Sequence, residues 1–159
     1  MAKVSAGLLM HRFRDRELQV LLVHPGGPFW AKKDLGAWSV PKGEFAEDED
    51  PLQAAKREFK EETSIDPVGE FVALSPVKQP SGKTIFAWAF EGDCDPSAIR
   101  SNTFQIEWPP GSGKRQEFPE IDRAEWFGFE AAMEKIAKGQ APLLKELLEK
   151  LDSGTSEPE

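Results

Sequence analysis

Apolar and polar positions along the chain change period several times, and each change predicts a boundary. Lys3 to Phe13 mixes small and apolar residues and predicts a strand. Arg14, Asp15, Arg16 and Glu17 make a charged turn, and Leu18 to His24 (LQVLLVH) predicts a second strand, buried on both faces at its centre. The two form a hairpin. Pro25, Gly26, Gly27 and Pro28 break the pattern, and Ala37 to Pro41 (AWSVP) predicts a short strand with Trp38 and Val40 facing the core. From Pro51 the apolar positions Leu52, Ala55 and Phe59 fall at helical spacing. Pro51 suits a first helical turn, and Asp48, Glu49 and Asp50 favour that end through the helix dipole. Phe71 to Val77 and Lys83 to Phe90 (KTIFAWAF) predict an antiparallel pair joined at Ser81-Gly82-Lys83.

Farther on, Phe104 to Trp108 predicts a short strand, and Pro109 to Lys114 (PPGSGK) reads as the most flexible stretch inside the domain. Arg115 to Asp122 then leads to a last strand, Ala124 to Phe129, with Trp126 and Phe127 expected in the core. Glu130 to Lys138 and Pro142 to Leu151 predict helices; the second carries Leu143, Leu144, Leu147, Leu148 and Leu151 on one face. Asp152 to Glu159 is polar and predicts a frayed tail, which divides the chain into a domain at 1–151 and a tail at 152–159. Hairpins interleaved with helices predict an α/β protein, a mixed β-sheet with helices on both faces.

Length and composition narrow the class. At 159 residues the chain is one domain. Its net charge of −8 argues against duplex nucleic acid as a partner, which needs a basic footprint. It leaves room for a nucleotide substrate, because a bound divalent cation reverses the local sign. Cys94 is the single cysteine, so no intrachain disulfide forms, which fits a reducing compartment. The apolar run Ala6 to Met10 is too short for a signal-peptide core, and no stretch reaches the length of a membrane span. These features predict a cytoplasmic protein with no membrane partner.

The candidate chemistry lies between Pro41 and Ile65, PKGEFAEDEDPLQAAKREFKEETSI. On the predicted helix Glu58, Glu61 and Glu62 stand at i, i+3 and i+4, so three carboxylates project from one side. Like charges so placed repel unless a cation lies between them, and a hard divalent ion such as Mg²⁺ takes oxygen ligands of this kind. Gly43 and Glu49 come from the preceding loop; glycine permits an unusual backbone conformation and brings a carbonyl close to a ligand. Arg57 can pair with a carboxylate and fix its geometry.

This stretch resembles the Nudix box, G-x5-E-x7-REUxEExGU with U a bulky apolar residue. Gly43, Glu49, Arg57, Glu58, Phe59, Glu61, Glu62 and Ile65 fill its positions. Ser64 stands where the pattern has glycine, a helix end that favours the left-handed conformation, so a local adjustment of the turn is expected there. The resemblance covers most of the chain and implies the Nudix α/β/α sandwich. It further implies Mg²⁺- or Mn²⁺-dependent hydrolysis of a nucleoside diphosphate linked to another group. Glu58, Glu62 and Glu61, with the Gly43 carbonyl, would then hold metal. Arg57 would orient Glu49 or Glu58, and Glu49 would support the carboxylates or act through a water. The general base would be Glu61, or Glu117 or Glu120 from the later QEFPE segment. Such proteins often dimerise, and exposed Trp or Phe in the loops would serve a homodimer interface.

For the substrate, WSVPKGEF resembles the W-x-x-P-K-G approach found in Nudix hydrolases of dinucleoside polyphosphates and inositol pyrophosphates. That ranks a dinucleoside polyphosphate such as diadenosine tetraphosphate first. A nucleoside triphosphate or damaged nucleotide comes second. ADP-ribose comes third, on the strength of Pro80, sixteen residues beyond Ser64. A nucleotide-binding regulatory module is the alternative outside enzymes. Diadenosine tetraphosphate hydrolases of the family carry a tyrosine after the box, and this chain has no Tyr; Phe86 or Trp88 would replace its stacking but not its hydroxyl. Lys32, Lys33 and Lys42 are candidate phosphate contacts, and Phe29 or Trp30 is a candidate platform for a base.

Overall fold

The computed structural model describes residues 4–155, with side chains described through residue 151. Strands β1 (Val4–Arg14) and β2 (Glu17–Pro25) form the expected hairpin, and β3 (Lys42–Glu44) precedes helix α1 (Pro51–Thr63). Short strands β4 (Val72–Ala73) and β5 (Val77–Lys78) lead to β6 (Thr84–Glu91). Then come β7 (Thr103–Glu107), β8 (Arg115–Pro119), β9 (Ile121–Gly128), α2 (Phe129–Lys135) and α3 (Ala141–Thr155).

The main sheet runs β4-β6-β1-β2-β9, with β3 added to β1 and β5 to β6. Its β1–β6 pair is parallel and its other pairs are antiparallel, so the sheet is mixed as expected. Strand periodicity then sorts the core into two layers. Ala6, Leu8 and Met10 of β1, Leu21 and Val23 of β2 and Phe90 of β6 pack with Ala54, Ala55 and Phe59 of α1. Leu9, Leu18, Val20, Leu22, Ile85 and Ala87 face the other way, onto Ala132, Leu143, Leu144 and Leu147 of α2 and α3. The result is the predicted α/β/α sandwich.

One edge of β1 is shared, and this shapes the site. His11 to Arg14 pair with β2, whereas Ser5 to Gly7 pair with β3. The end of β2 therefore splays from β3, and residues 38–41 fill the gap. Those residues are not the predicted strand. They make isolated bridges, Val23 to Ser39 and Trp38 to Ile136, because the Val40 N–H donates to the Gln140 side chain (3.0 Å) rather than to a ladder. Trp38 and Val40 are nonetheless fully in the core, as expected.

Other elements also depart from the sequence reading. Phe71 to Val77 is broken into β4 and β5, since the Ser75 N–H between them donates to Glu146 of α3 (2.7 Å). Arg115 to Asp122 contains a strand, β8, which pairs with β7 as a separate two-stranded hairpin. The Pro109–Lys114 connection is held rather than loose: the Glu107 carboxylate accepts from the N–H groups of Gly111 (3.4 Å) and Gly113 (2.8 Å). In β9 the buried side chain is Ala124, with Trp126 and Phe127 partly covered on opposite layers. Helix α2 stops at Lys135, where Ile136 turns to bridge Trp38, and α3 runs past the predicted end at Leu151 to Thr155. The predicted tail thus begins inside a helix, and residues 156–159 lie outside the described residues.

Candidate active site

Helix α1 is fixed at both ends by its own sequence. The Asp50 carboxylate caps the start by accepting from the Gln53 N–H at 3.0 Å, with Pro51 in the first turn. Ser64 closes the end in the left-handed conformation, φ 67° and ψ 17°, and its N–H donates to the Lys60 carbonyl. The adjustment expected for serine at this position does not occur. The backbone keeps the shape a glycine would take, and the Ser64 hydroxyl donates to the Arg100 carbonyl at 2.5 Å, which offsets the cost of that conformation.

With Phe59 driven into the core, Glu58 and Glu62 lie towards β3 and Glu61 and Arg57 towards solvent. Arg57 gathers the carboxylates. Its guanidinium donates twice to Glu49 (2.9 and 3.1 Å), and Nη1 donates to both Glu58 (2.7 Å) and Glu61 (3.0 Å). Gly43 faces Glu58 directly: a Cβ there would stand 1.9 Å from Glu58 Oε1. Its φ is not positive, so this glycine is required for space, not for the unusual backbone conformation the sequence reading proposed. Glu62 is buried, and one of its oxygens accepts from the Lys42 N–H at 3.3 Å.

The electrostatics follow from burial. The Glu62 carboxyl is pushed up to about 8, chiefly by desolvation, against the pull of Lys42. Lys42 is lowered by the same burial and by Lys83, with Glu62 and Glu44 opposing. Both members of the pair therefore move towards their neutral forms, because loss of water outweighs their mutual attraction. Glu58 is raised by burial and then by Glu61, and Glu120 by burial and then by Glu61. Glu120 acts in turn on Glu58 and Glu62, so it belongs to the same cluster. Val23, Pro25, Ser39, Lys42, Glu62 and Glu120 line a cleft of about 170 Å³ at the splay between β2 and β3. A larger cavity of about 270 Å³, between Pro96–Arg100 and Ile121–Glu125, contains none of the box carboxylates.

The candidate residues thus divide. Gly43, Glu49, Arg57, Glu58, Glu61, Glu62, Lys42 and Glu120 form one assembly. Glu117 is held elsewhere, on β8, where its carboxylate accepts from the Thr103 hydroxyl at 2.9 Å. The loop residues are anchored differently. Lys33 lies over the Trp30 ring at 5.0 Å and its carbonyl meets buried His24 Nε2 at 2.6 Å. Phe29 packs edge-on against Trp108 of the hairpin side at 5.3 Å. Lys83, which reaches Glu44 at 3.0 Å and bears on Lys42, is a cation near the site that its strand-like sequence context gave no reason to single out.

A hard divalent cation suits this donor set. As they stand, no three acidic groups among the described residues converge into a ligand set, because the Arg57 guanidinium lies between Glu58 and Glu61. All the side-chain donors are carboxylate oxygens, two of them from groups raised by burial and by neighbouring carboxylates, and Gly43 keeps the space beside Glu58 clear. These are the features that a dication relieves.

The sequence profile of the NUDIX domain family matches residues 1–147. The chain belongs to the Nudix family. As a Nudix hydrolase it acts on phosphoric anhydride bonds. Among solved structures it is similar to a binary complex of the Caenorhabditis elegans Ap4A hydrolase, at 22% identity and TM-score 0.66, over 96% of this chain and 99% of that one. It is similar to the NUDIX domain of Shewanella oneidensis NrtR complexed with ADP ribose, at 19% identity and TM-score 0.66, over 95% and 89%. The Escherichia coli ORF135 protein matches at 24% identity and TM-score 0.56, over 98% and 96%. At these identities the likeness is one of fold. No curated protein matches the chain.

Because Arg57 makes bonds to three glutamates, lysine cannot replace it. Arg57→Lys is expected to lower turnover about 10- to 100-fold with little change in melting temperature, since the guanidinium is partly exposed. Steady-state kinetics beside a thermal melt would check this; unchanged kcat would remove Arg57 from the site.

Proposed function

We propose that this Nudix chain is a divalent-metal-dependent pyrophosphohydrolase of nucleoside diphosphate derivatives, with a dinucleoside polyphosphate such as diadenosine tetraphosphate as its best-matching substrate. The observation that carries the chemistry is the electrostatic clustering of Glu58, Glu61, Glu62 and Glu120, of which Glu62 and Glu120 line a cleft together with Lys42. Glu58 and Glu62, with Glu61 and the Gly43 carbonyl, would hold Mg²⁺ or Mn²⁺. Bound there, the metal would neutralise polyphosphate charge and lower the pKa of a water.

The rest is work for the protein's own groups. Arg57 keeps Glu49, Glu58 and Glu61 together in the metal-free protein, and a metal bound between Glu58 and Glu61 would take over the place of its Nη1. Lys42 at the cleft offers a point charge to a phosphate oxygen. Glu120, with its carboxyl raised, is suited to take a proton from the attacking water, and Glu61 is the second choice. Of the outer candidates, Lys32, Lys33 and Trp30 belong to the loop that follows Pro25, itself a lining residue of the cleft, and are assigned to the substrate's distal parts.

The substrate ranking rests on the WSVPKG run and is supported by the similarity to an Ap4A hydrolase. Trp38 of that run is buried and its Nε1 donates to Asp34 at 2.8 Å, so it anchors the run next to the cleft-lining Ser39 and Val40 and does not stack on a base. Pro80, the feature that pointed to ADP-ribose, occupies a tight turn closed by the Gly82 N–H to the Gln79 carbonyl (2.8 Å). That turn packs against Gly139, and a local role accounts for the proline.

The test is product analysis with Mg²⁺ on diadenosine tetraphosphate, ADP-ribose, ordinary and oxidised nucleoside triphosphates, and an inositol pyrophosphate. Wild type and Glu62→Gln would be run together. Cleavage of the dinucleotide by wild type alone is the expected result. Preference for another member reassigns the substrate, and nucleotide binding without turnover rejects the hydrolase.

A further inference from the structure

Glu120 reaches the box from a distant part of the chain, and a three-residue segment connects the two. Arg100, Ser101 and Asn102 lie between the end of α1 and the end of β8. On the helix side the Arg100 N–H donates to the Thr63 carbonyl (3.4 Å) and the Asn102 N–H to the Glu61 carbonyl (3.1 Å). The Ser64 hydroxyl closes this side by donating to the Arg100 carbonyl (2.5 Å).

On the other side the Glu120 N–H donates to the Asn102 carbonyl (2.8 Å), and the Glu120 carbonyl accepts from Gly26 (2.8 Å). The half-buried Ser101 hydroxyl accepts from the Ile121 N–H (3.0 Å) and lies 2.9 Å from the Asn102 carbonyl, to which it can donate. Both backbone groups of Glu120 are therefore fixed, and its N–H is two hydrogen bonds away from the backbone of Glu61.

We infer that Arg100–Asn102 is a strap that sets the distance between Glu120 and the box carboxylates, with Ser64 and Ser101 as its positioning residues. Ser64 then has a purpose that the family's usual glycine cannot serve. Glycine adopts the left-handed conformation more readily, but it has no hydroxyl to hold the strap. The inference rests on the hydrolase reading for its catalytic consequence and on hydrogen bonding for its structural one.

The two consequences are measured separately. Wild type, Ser64→Gly, Ser101→Ala, Glu120→Gln and the double variants Ser64→Gly/Glu120→Gln and Ser101→Ala/Glu120→Gln would be compared by kcat, KM, melting temperature and amide hydrogen exchange. Ser64→Gly is expected to melt no lower than wild type, yet to lose about five- to tenfold in kcat with KM within about twofold. Ser101→Ala is expected to lose about tenfold in kcat, and Ser101→Thr, which keeps the hydroxyl, to recover most of it. Exchange at the Asn102 and Glu120 amides is expected to quicken about tenfold in Ser64→Gly and Ser101→Ala. In the Glu120→Gln background neither serine change should lower kcat further.

Losses that multiply in the double variants would overturn the positioning role, as would Glu120→Gln with wild-type kcat. Unchanged exchange would overturn the strap itself. A wild type inactive on every substrate would instead reject the hydrolase reading, and the exchange data would still decide the strap.

Discussion

Gly43→Ala is expected to reduce turnover at least about 100-fold and to leave the fold standing. An alanine Cβ at this position would lie 1.9 Å from Glu58 Oε1 and 2.1 Å from Glu58 Cδ. One of the two must move. Gly43 is held in β3 by its pairing with Ala6, whereas the carboxylate is the free end of a flexible side chain. Glu58 therefore swings away, at small cost to stability, and loses its 2.7 Å bond to Arg57. The backbone at residue 43 needs no positive φ, so alanine adds no conformational strain. Kinetics paired with a thermal melt would check the claim. Full activity in this variant would mean that the observed place of Glu58 is irrelevant to the chemistry, and its assignment as a metal ligand would fall.

Glu62→Gln is expected to lose turnover about 1,000-fold and yet to stabilise the metal-free protein above neutral pH. The Glu62 carboxyl has a folded pKa of about 8 against an ordinary value of 4.5. Between those values the folded chain binds a proton that the unfolded chain does not. The contribution is fully present below about 4.5 and is lost as pH rises through 8, where a buried charge must form. The loss is on the order of 5 kcal/mol for the metal-free state. Glu58 and Glu120 are raised as well and act in the same direction. Glutamine resembles the neutral carboxyl at every pH. Metal-free wild type and variant should therefore melt alike at pH 5, and the variant should melt higher at pH 8.5. Mg²⁺ should then raise the melting temperature of wild type at pH 8.5 and leave the variant nearly unmoved. A wild type whose metal-free stability is flat across this range would refute the buried-charge account.

What the sequence showed and what it hid follow a physical line. The box helix was legible because Asp50, Pro51, Phe59 and the glutamates act through local spacing, and local spacing is written in the chain. The β1–β2 hairpin and the leucine face of α3 were legible for the same reason. The strand at residues 37–41 was misread because Gln140, one hundred residues away, takes the Val40 N–H that a ladder would have used. The break between β4 and β5 likewise depends on Glu146. Within the site, Glu117 and Glu120 were indistinguishable in QEFPE. They were separated only by their places, Glu117 within β8 and Glu120 between β8 and β9, and by the hydrogen bonds that Glu120 makes to Asn102 and accepts from Gly26. At Gly43 the sequence suggested an unusual backbone conformation where the structure shows a need for space beside Glu58, since neighbouring space is a tertiary property.

The parallel pairing of β1 with β6 has a consequence for how the chain comes into being. Val4 lies beside Thr84 and His11 beside Glu91, and Phe59 of the box helix rests edge-on against Phe90 of β6 at 5.5 Å. A ribosome releases β1, β2 and the whole acidic helix before the strand that completes their floor. Until β6 emerges, the helix carries its clustered glutamates without the Phe90 contact for Phe59. The segment that carries Glu120 arrives later still. The chemistry of this protein therefore waits on segments made after its motif, and a chain cut short before β6 would contain the family's whole motif without the strand and the carboxylate that complete its site.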